Sequence, residues 1–324
     1  MKDNPLKIKP IETNKKNVHP KAPHDALMDH EFTLGVIAPK GAGKTTVICN
    51  LLRFYRGSFH TILVFSPTVQ SDDKWDVIKE EKFLIENKPL KEWIKKQAEK
   101  QDQHKIVGDP PVSGEMQGMV NPEEGFTGKI PEENFYDDYH EDTFQNIMES
   151  QLAVIKMLKK HKKSKTLANR ILIIFDDLVG SALFAGSRGS YFKGGSIVLT
   201  IVNTRHRHYS SSFIMVSQGY KEIPKTIRTN WTGLIVFEIG NEREVAVIYE
   251  EYAMGLKIKD WLEMYRHSTE EDHSFLYLNY QKPKRLRIMK NFDSYLFVDN
   301  NGGEADEYDY DEESGKRKKK PKRK

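Results

Sequence analysis

The stretch Phe32–Leu52, FTLGVIAPKGAGKTTVICNLL, restricts this chain to few folds. Phe32, Leu34, Val36 and Ile37 read as a buried strand, Ala38–Gly43 breaks it, and Val47, Ile48, Leu51 and Leu52 recur at helical spacing. Between strand and helix lies Gly43-Lys44-Thr45, the end of the phosphate-binding pattern G-x-x-x-x-G-K-[ST]. Glycines let successive backbone N–H groups turn inward around a phosphate, and the helix N-terminus adds positive dipole. The cradle is then Pro39, Lys40, Gly41, Ala42, Gly43, Lys44, Thr45 and Thr46. Lys44 places a cation on the β and γ phosphates of ATP, and the Thr45 hydroxyl ligates Mg²⁺. The first glycine of the pattern is replaced by Ala38, which is tolerable where that residue keeps a negative φ.

Composition removes several classes of function. No apolar run approaches the roughly 18 residues that span a bilayer, and the basic opening segment lacks the apolar core of a secretion signal. A single cysteine, Cys49, allows no intramolecular disulfide, consistent with a reducing compartment, and its place on the helix marks it as a packing residue. The net charge of +4 conceals two opposed blocks: seven carboxylates within 304–313 and eight cations within 316–324. The body between is nearly balanced, so any surface for nucleic acid on it is local.

Residues 1–28 read as an extended basic arm, 29–299 as one α/β domain and 300–324 as a disordered acidic-then-basic tail. After the phosphate loop, Thr61–Phe65 forms a second strand, so strand, helix and strand make a parallel βαβ unit. Asp72 to about Lys105 reads as helical, with Trp75, Ile78, Leu84, Leu90, Trp93 and Ile94 inward. Residues 108–142, broken by repeated Gly and Pro, read as an irregular insertion or lid. Phe144–Lys160 is a helix closed by the cationic run 159–165, which suits its C-terminal dipole. Ile171–Phe175 is a central strand that ends in Asp176-Asp177. Behind a phosphate loop this is a Walker B signature, with Asp176 holding Mg²⁺ and Asp177 orienting and deprotonating the attacking water. Ile197–Asn203 is helix or strand, Ser212–Ser217 a strand closed by Gln218, and Leu234–Phe237 another strand. Helices are expected within 243–252 and 260–265, a hairpin across 275–290, and an edge strand at 294–298.

The strand ending in Gln218 is the discriminating one. Its amide can donate to a phosphate oxygen and accept from water, and Arg207 lies eleven residues before it. With GVIAPKGAGKTT, ILIIFDD and RHYSSSFIMVSQGYKEIPKTIRTNW in view, the chain resembles the FtsK–HerA superfamily. More narrowly it is similar to the poxvirus-type DNA-packaging ATPases of large nucleocytoplasmic DNA viruses, over about 32–237. The resemblance implies a P-loop NTPase of the additional-strand (RecA/FtsK-like) type. Its mainly parallel sheet is flanked by helices and followed by a C-terminal β-hairpin region. It also implies that the Gln218 strand inserts between the phosphate-loop and Walker B strands. Gln218 becomes the γ-phosphate sensor, and Arg207 a finger reaching the neighbouring subunit's nucleotide. Pairing of Arg207 within its own subunit is the alternative, and Arg228 the reserve finger. Asp177 stands where Glu is commoner, which bears on the rate of hydrolysis.

The function so implied is an ATP-driven double-stranded DNA translocase. It would act as a homo-oligomeric ring with capsid or portal-vertex partners, at a viral assembly site in cytoplasm or nucleus or with the virion. A P-loop kinase and a non-catalytic nucleotide-binding assembly protein are the alternatives. For the basic tail, a flexible DNA anchor competes with a localisation signal and with a solvated tail of no role.

Overall fold

The computed structural model describes residues 21–85, 87–103, 127–161, 169–178, 183, 196–253, 255–297, 306–311 and 316–319. The first half of the domain contains β1 (Thr33–Ile37), α1 (Lys44–Phe54), β2 (Thr61–Phe65), α2 (Asp73–Glu80), β3 (Lys82–Ile85), α3 (Lys88–Gln103), β4 (Thr127–Lys129), β5 (Phe135–Tyr136), α4 (Glu141–Lys160) and β6 (Ile171–Asp176). The second half adds α5 (Ile197–Thr204), β7 (Ser211–Ser217), α6 (Lys225–Arg228), β8 (Gly233–Val236), α7 (Glu242–Tyr252), α8 (Ile258–Thr269), β9 (Leu276–Asn279), β10 (Ile288–Lys290) and β11 (Ser294–Phe297). Two strands of the charged tail follow, β12 (Asp306–Asp311) and β13 (Lys316–Lys319).

Among the described residues one eleven-stranded sheet runs β13-β12-β11-β10-β9-β8-β1-β7-β6-β2-β5. The six strands from β8 to β5 are parallel, and from β8 outward to β13 each pair is antiparallel. Strand β7 lies between β1 and β6, pairing Leu34 with Ile214 on one side and Ile174 with Ile214 on the other. This is the additional-strand arrangement that the resemblance implies.

Strand composition explains the layering. Every residue of β6 is buried, the near-continuous apolar run of a parallel strand covered on both faces. Leu172 and Ile174 enter one core with Val47, Ile48, Leu51 and Leu52 of α1. Ile171, Ile173 and Phe175 enter the opposite core with Phe144 of α4, Leu199 of α5 and Ile248 of α7. Gly35 lets the Trp231 ring lie directly on β1: a Cβ there would sit 2.3 Å from the ring.

Several expectations change. The final residues of the expected basic arm belong to the core: Ala26, Leu27 and Met28 are buried, and the Tyr55 hydroxyl donates to the Met28 carbonyl at 2.8 Å. Residues 1–20 lie outside the described residues. The expected long helix over 72–105 is two helices separated by β3, a four-residue strand whose partner β4 comes more than forty positions later. Within the expected irregular insertion, 108–126 lies outside the described residues. The remainder carries β4 and β5, and β5 extends the parallel sheet beyond β2. The segment 197–203 is helical. The tail, expected to be disordered, contributes β12 and β13. The register sets Asp309 opposite Lys318 and Asp311 opposite Lys316.

Candidate functional site

The phosphate loop leaves the C-terminal tip of β1. Ala38 continues the strand, donating its N–H to the Ser217 carbonyl at 3.0 Å. It is not among the described non-glycine residues with positive φ, so replacing the first glycine strains nothing. The turn itself rests on Gly41 (φ +83°) and Gly43 (φ +102°), both in the left-handed region. Beside Gly41 the space is open. Gly43 caps α1 and offers no side-chain acceptor to its first N–H groups, which a phosphate can then satisfy. Lys44 and Thr45 begin the eleven-residue helix.

Around this loop, strand order brings together residues from distant parts of the chain. Gln218 follows β7, Asp176 and Asp177 close β6, and Ser66 follows β2, so successive C-terminal tips face one crevice. Lys44 Nζ lies 3.1 Å from Asp177 Oδ2. Gln218 Nε2 donates to both oxygens of the same carboxylate, at 3.0 and 3.1 Å. Asp177 adopts φ +52°, a left-handed conformation that Asp tolerates better than most residues. Its neighbour is buried: Asp176 is 2% exposed, and its Oδ2 accepts from Ser66 Oγ at 3.0 Å. Burial pushes the Asp176 carboxyl up to about 6, against the opposing pull of Lys44. Asp176 Oδ1 has no hydrogen-bond partner. An orphaned buried carboxylate oxygen at a phosphate loop fits a divalent cation. The described residues contain no cluster of three or more His, Cys, Asp and Glu side chains. None is needed by a Mg²⁺ held through one carboxylate, one hydroxyl and substrate phosphates.

Sequence reasoning missed two supporting residues. Ser66, in the polar Ser66-Pro67-Thr68 tip of β2, orients Asp176. The signal was its position at the C-terminal end of a strand in a parallel unit. Glu222 fixes the sensor turn by accepting from Ser217 Oγ at 2.6 Å and from the Gly219 N–H at 2.9 Å.

The two arginines are placed differently. Arg207 is exposed in the single turn His206–His208, before β7 begins, at the opposite end of that strand from Gln218. The structure does not bring it to the Lys44–Asp177 cluster of its own chain. Arg228, the reserve finger, is a packing residue. Its Nη1 lies 2.6 Å from Glu251, its Nε donates to the Ile223 carbonyl, and its guanidinium stacks 4.2 Å above the Tyr220 ring. A side chain buried and engaged in this way is not available to reach a second subunit.

Residues 136–276 match the family model of the Poxvirus A32 protein. That span holds the Walker B strand, Arg207 and Gln218, while the phosphate loop lies before it. No curated protein matches the chain. Solved structures similar to the chain include the genome packaging NTPase B204 from Sulfolobus turreted icosahedral virus 2 in complex with AMPPCP, at 11% identity, 82% coverage of this chain, 98% of that chain and TM-score 0.46. The DNA-packaging ATPase B204 from Sulfolobus Turreted Icosahedral Virus aligns at 11% identity, 80% and 96% coverage and TM-score 0.46. The cytoplasmic domain of the Thermomonospora curvata type VII secretion ATPase EccC aligns at 11% identity, 84% and 26% coverage and TM-score 0.43.

Proposed function

We propose that this chain, whose residues 136–276 match the Poxvirus A32 protein family, is an ATP-hydrolysing motor. Its task is to move double-stranded DNA into a capsid at a viral assembly site, and its working form is a homo-oligomeric ring that engages capsid or portal proteins. The observation that carries the reading is β7. One end of this strand holds Gln218 against Asp177, and the other presents Arg207 away from its own site.

The chemistry follows from the placement. Lys44 and the N–H groups of the loop and α1 bind the triphosphate. Thr45 and Asp176 would hold Mg²⁺, which would supply positive charge against the phosphates of the nucleotide. The bond from the γ-phosphorus to the β–γ bridging oxygen breaks as water attacks, and Asp177 takes the proton of that water. Gln218, already within hydrogen-bonding distance of Asp177, orients the water and the γ oxygens. Lys44 and Gln218 both engage Asp177. An arriving γ-phosphate competes for Lys44 and frees the carboxylate to act as base.

The ring reading rests on Arg207 and on the helix before it. Ile197 and Ile201, one turn apart on α5, are 52% and 41% exposed. This apolar face adjoins the arginine and suits contact with another subunit. Steady-state ATP hydrolysis with and without duplex DNA is the test. Stimulation by DNA is the expected result. DNA-indifferent turnover would select a P-loop enzyme of another kind, and no turnover a nucleotide-binding assembly protein.

A further inference from the structure

A residue 231 positions onward touches the phosphate loop from outside its own strand and helix. His273, in the turn between α8 and β9, has Nδ1 3.1 Å from the Ala42 carbonyl oxygen. A carbonyl oxygen only accepts, so the contact places a proton on Nδ1. The ring also lies against the next residue: a Cβ added at Gly43 would sit 3.4 Å from the same nitrogen.

The loop's own residues hold the Ala42–Gly43 peptide unit weakly. Gly41 and Gly43 stand at φ +83° and +102°, and glycine takes either sign of φ at little cost. Among the described residues nothing lies within 4 Å of a Cβ built at Gly41. The Ala42 N–H donates to the Pro39 carbonyl at 3.2 Å, but that bond fixes the preceding unit. Turning the Ala42–Gly43 unit over changes ψ of Ala42 and φ of Gly43 and little else. The unit is planar and trans, so its C=O and N–H point in opposite directions. Whatever holds the Ala42 carbonyl therefore also sets the direction of the Gly43 N–H.

The turn that presents His273 is braced. His273 itself has φ +63° and Asn291, across from it after β10, has φ +54°. Ser274 Oγ donates to the Glu271 carbonyl at 2.6 Å, and the Phe275 N–H donates to Asn291 Oδ1 at 3.2 Å. The Asn291 N–H returns a bond to the Phe275 carbonyl at 2.9 Å. Buried Lys290 reaches Glu270 and Glu271 at 3.5 and 3.3 Å. Phe292 meets Phe54 of α1 edge to face at 5.8 Å. The antiparallel extension thus carries a fixed donor to the loop.

We infer that His273 is a positioning residue for ATP hydrolysis, latching the Ala42 carbonyl outward so that the Gly43 N–H stays turned toward bound phosphate. The inference rests on the phosphate loop binding a triphosphate. His273 acts through Ala42 and lowers the cost of ordering the loop when phosphate binds. A loop N–H serves ground state and transition state alike, so the latch bears on KM rather than on kcat.

Titration with inorganic tripolyphosphate and steady-state ATP hydrolysis test the latch. His273→Gly removes the donor and accepts the left-handed backbone. His273→Asn also accepts that backbone and carries an amide nitrogen at the same δ position, so it keeps a donor. One hydrogen bond corresponds to about two- to tenfold in affinity. His273→Gly should weaken tripolyphosphate binding and raise KM for ATP by about that factor, with kcat near the native value. His273→Asn should restore both. Native affinity and KM in His273→Gly overturn the inference, as does a loss that His273→Asn leaves unrestored. A fall in kcat at unchanged KM overturns it too. Tripolyphosphate affinity unchanged in Lys44→Ala overturns the phosphate-loop reading instead.

Discussion

Arg207→Ala separates a motor ring from a self-contained NTPase. Strand β7 has seven residues, and at about 3.3 Å per residue it alone spans about 23 Å. Arg207 precedes it and Gln218 follows it, so the arginine is several side-chain lengths from its own chain's Lys44 and Asp177. The side chain is exposed, and removing such a group changes stability by no more than about 0.5 kcal/mol. Nucleotide binding should also persist, because no loop contact is touched. The rate should nevertheless fall by about 10³ or more, the scale for an arginine finger in phosphoryl transfer, or about 4 kcal/mol of barrier. Mixing Arg207→Ala with Lys44→Ala subunits gives the decisive measurement. In equimolar random rings about a quarter of the interfaces join an intact loop to an intact arginine, so activity should return toward that fraction of the native rate. Native-like turnover by Arg207→Ala alone, or no recovery in rings shown by mass to be mixed, would refute the assignment.

The remaining predictions concern the site, the core and the tail. Lys44→Ala should weaken nucleotide binding and abolish hydrolysis, whereas Asp177→Asn should still bind ATP and lose about 10²–10⁴ in turnover. Single-turnover assays beside titrations distinguish the two outcomes. Arg228→Ala should destabilise the fold by about 1–3 kcal/mol, since the half-buried Glu251 loses its cationic partner and keeps the Tyr220 hydroxyl, read as a lower urea midpoint. Burial pushes the Glu31 carboxyl up to about 7. The folded state therefore binds the extra proton, and this residue's contribution to stability is full at low pH and lost as pH rises through about 7. Glu31→Gln should raise the melting temperature relative to the native chain at pH 8 and leave it nearly unchanged at pH 4, and a difference that grows on acidification would contradict this. Truncation after Gly303 should preserve basal ATPase activity while flattening the salt dependence of DNA binding by several units of slope. An unchanged slope would favour a localisation signal over a DNA anchor.

The strand tips proposed for phosphate chemistry were legible because such chemistry dictates residue type and spacing at once. Lys44, Asp176, Asp177 and Gln218 each close or follow an apolar run, and the parallel sheet gathers such ends on one side. The insertion of β7 between β1 and β6 was legible only through the resemblance, since no local pattern states strand order. Short elements were lost: β3 and β5 are four and two residues long, below any periodicity, and are defined by pairing with distant strands. Arg228 could not be assigned from sequence because Glu251, which holds it, lies 23 positions onward on another helix. His273, Asn291 and Phe292 carry no motif, and only folding sets them more than two hundred residues onward against α1.

Strand β7 also bears on how hydrolysis could be transmitted. It is buried along its whole length and hydrogen-bonded to β1 and β6, so it cannot slide without breaking two ladders. Its C-terminal turn is fixed to Glu222 through Ser217 and Gly219, and its N-terminal end follows directly from the turn bearing Arg207. A strand held on both sides moves with the sheet as a rigid body. In the proposed ring, a displacement at the γ-phosphate would therefore reach the next subunit either as rotation of the whole domain or through the less constrained α5 face beside Arg207. The first route keeps Gln218 and Arg207 in fixed relation, which makes the state of one site a geometric condition on the next. That is the coupling a ring of identical motors requires if its subunits are to fire in order.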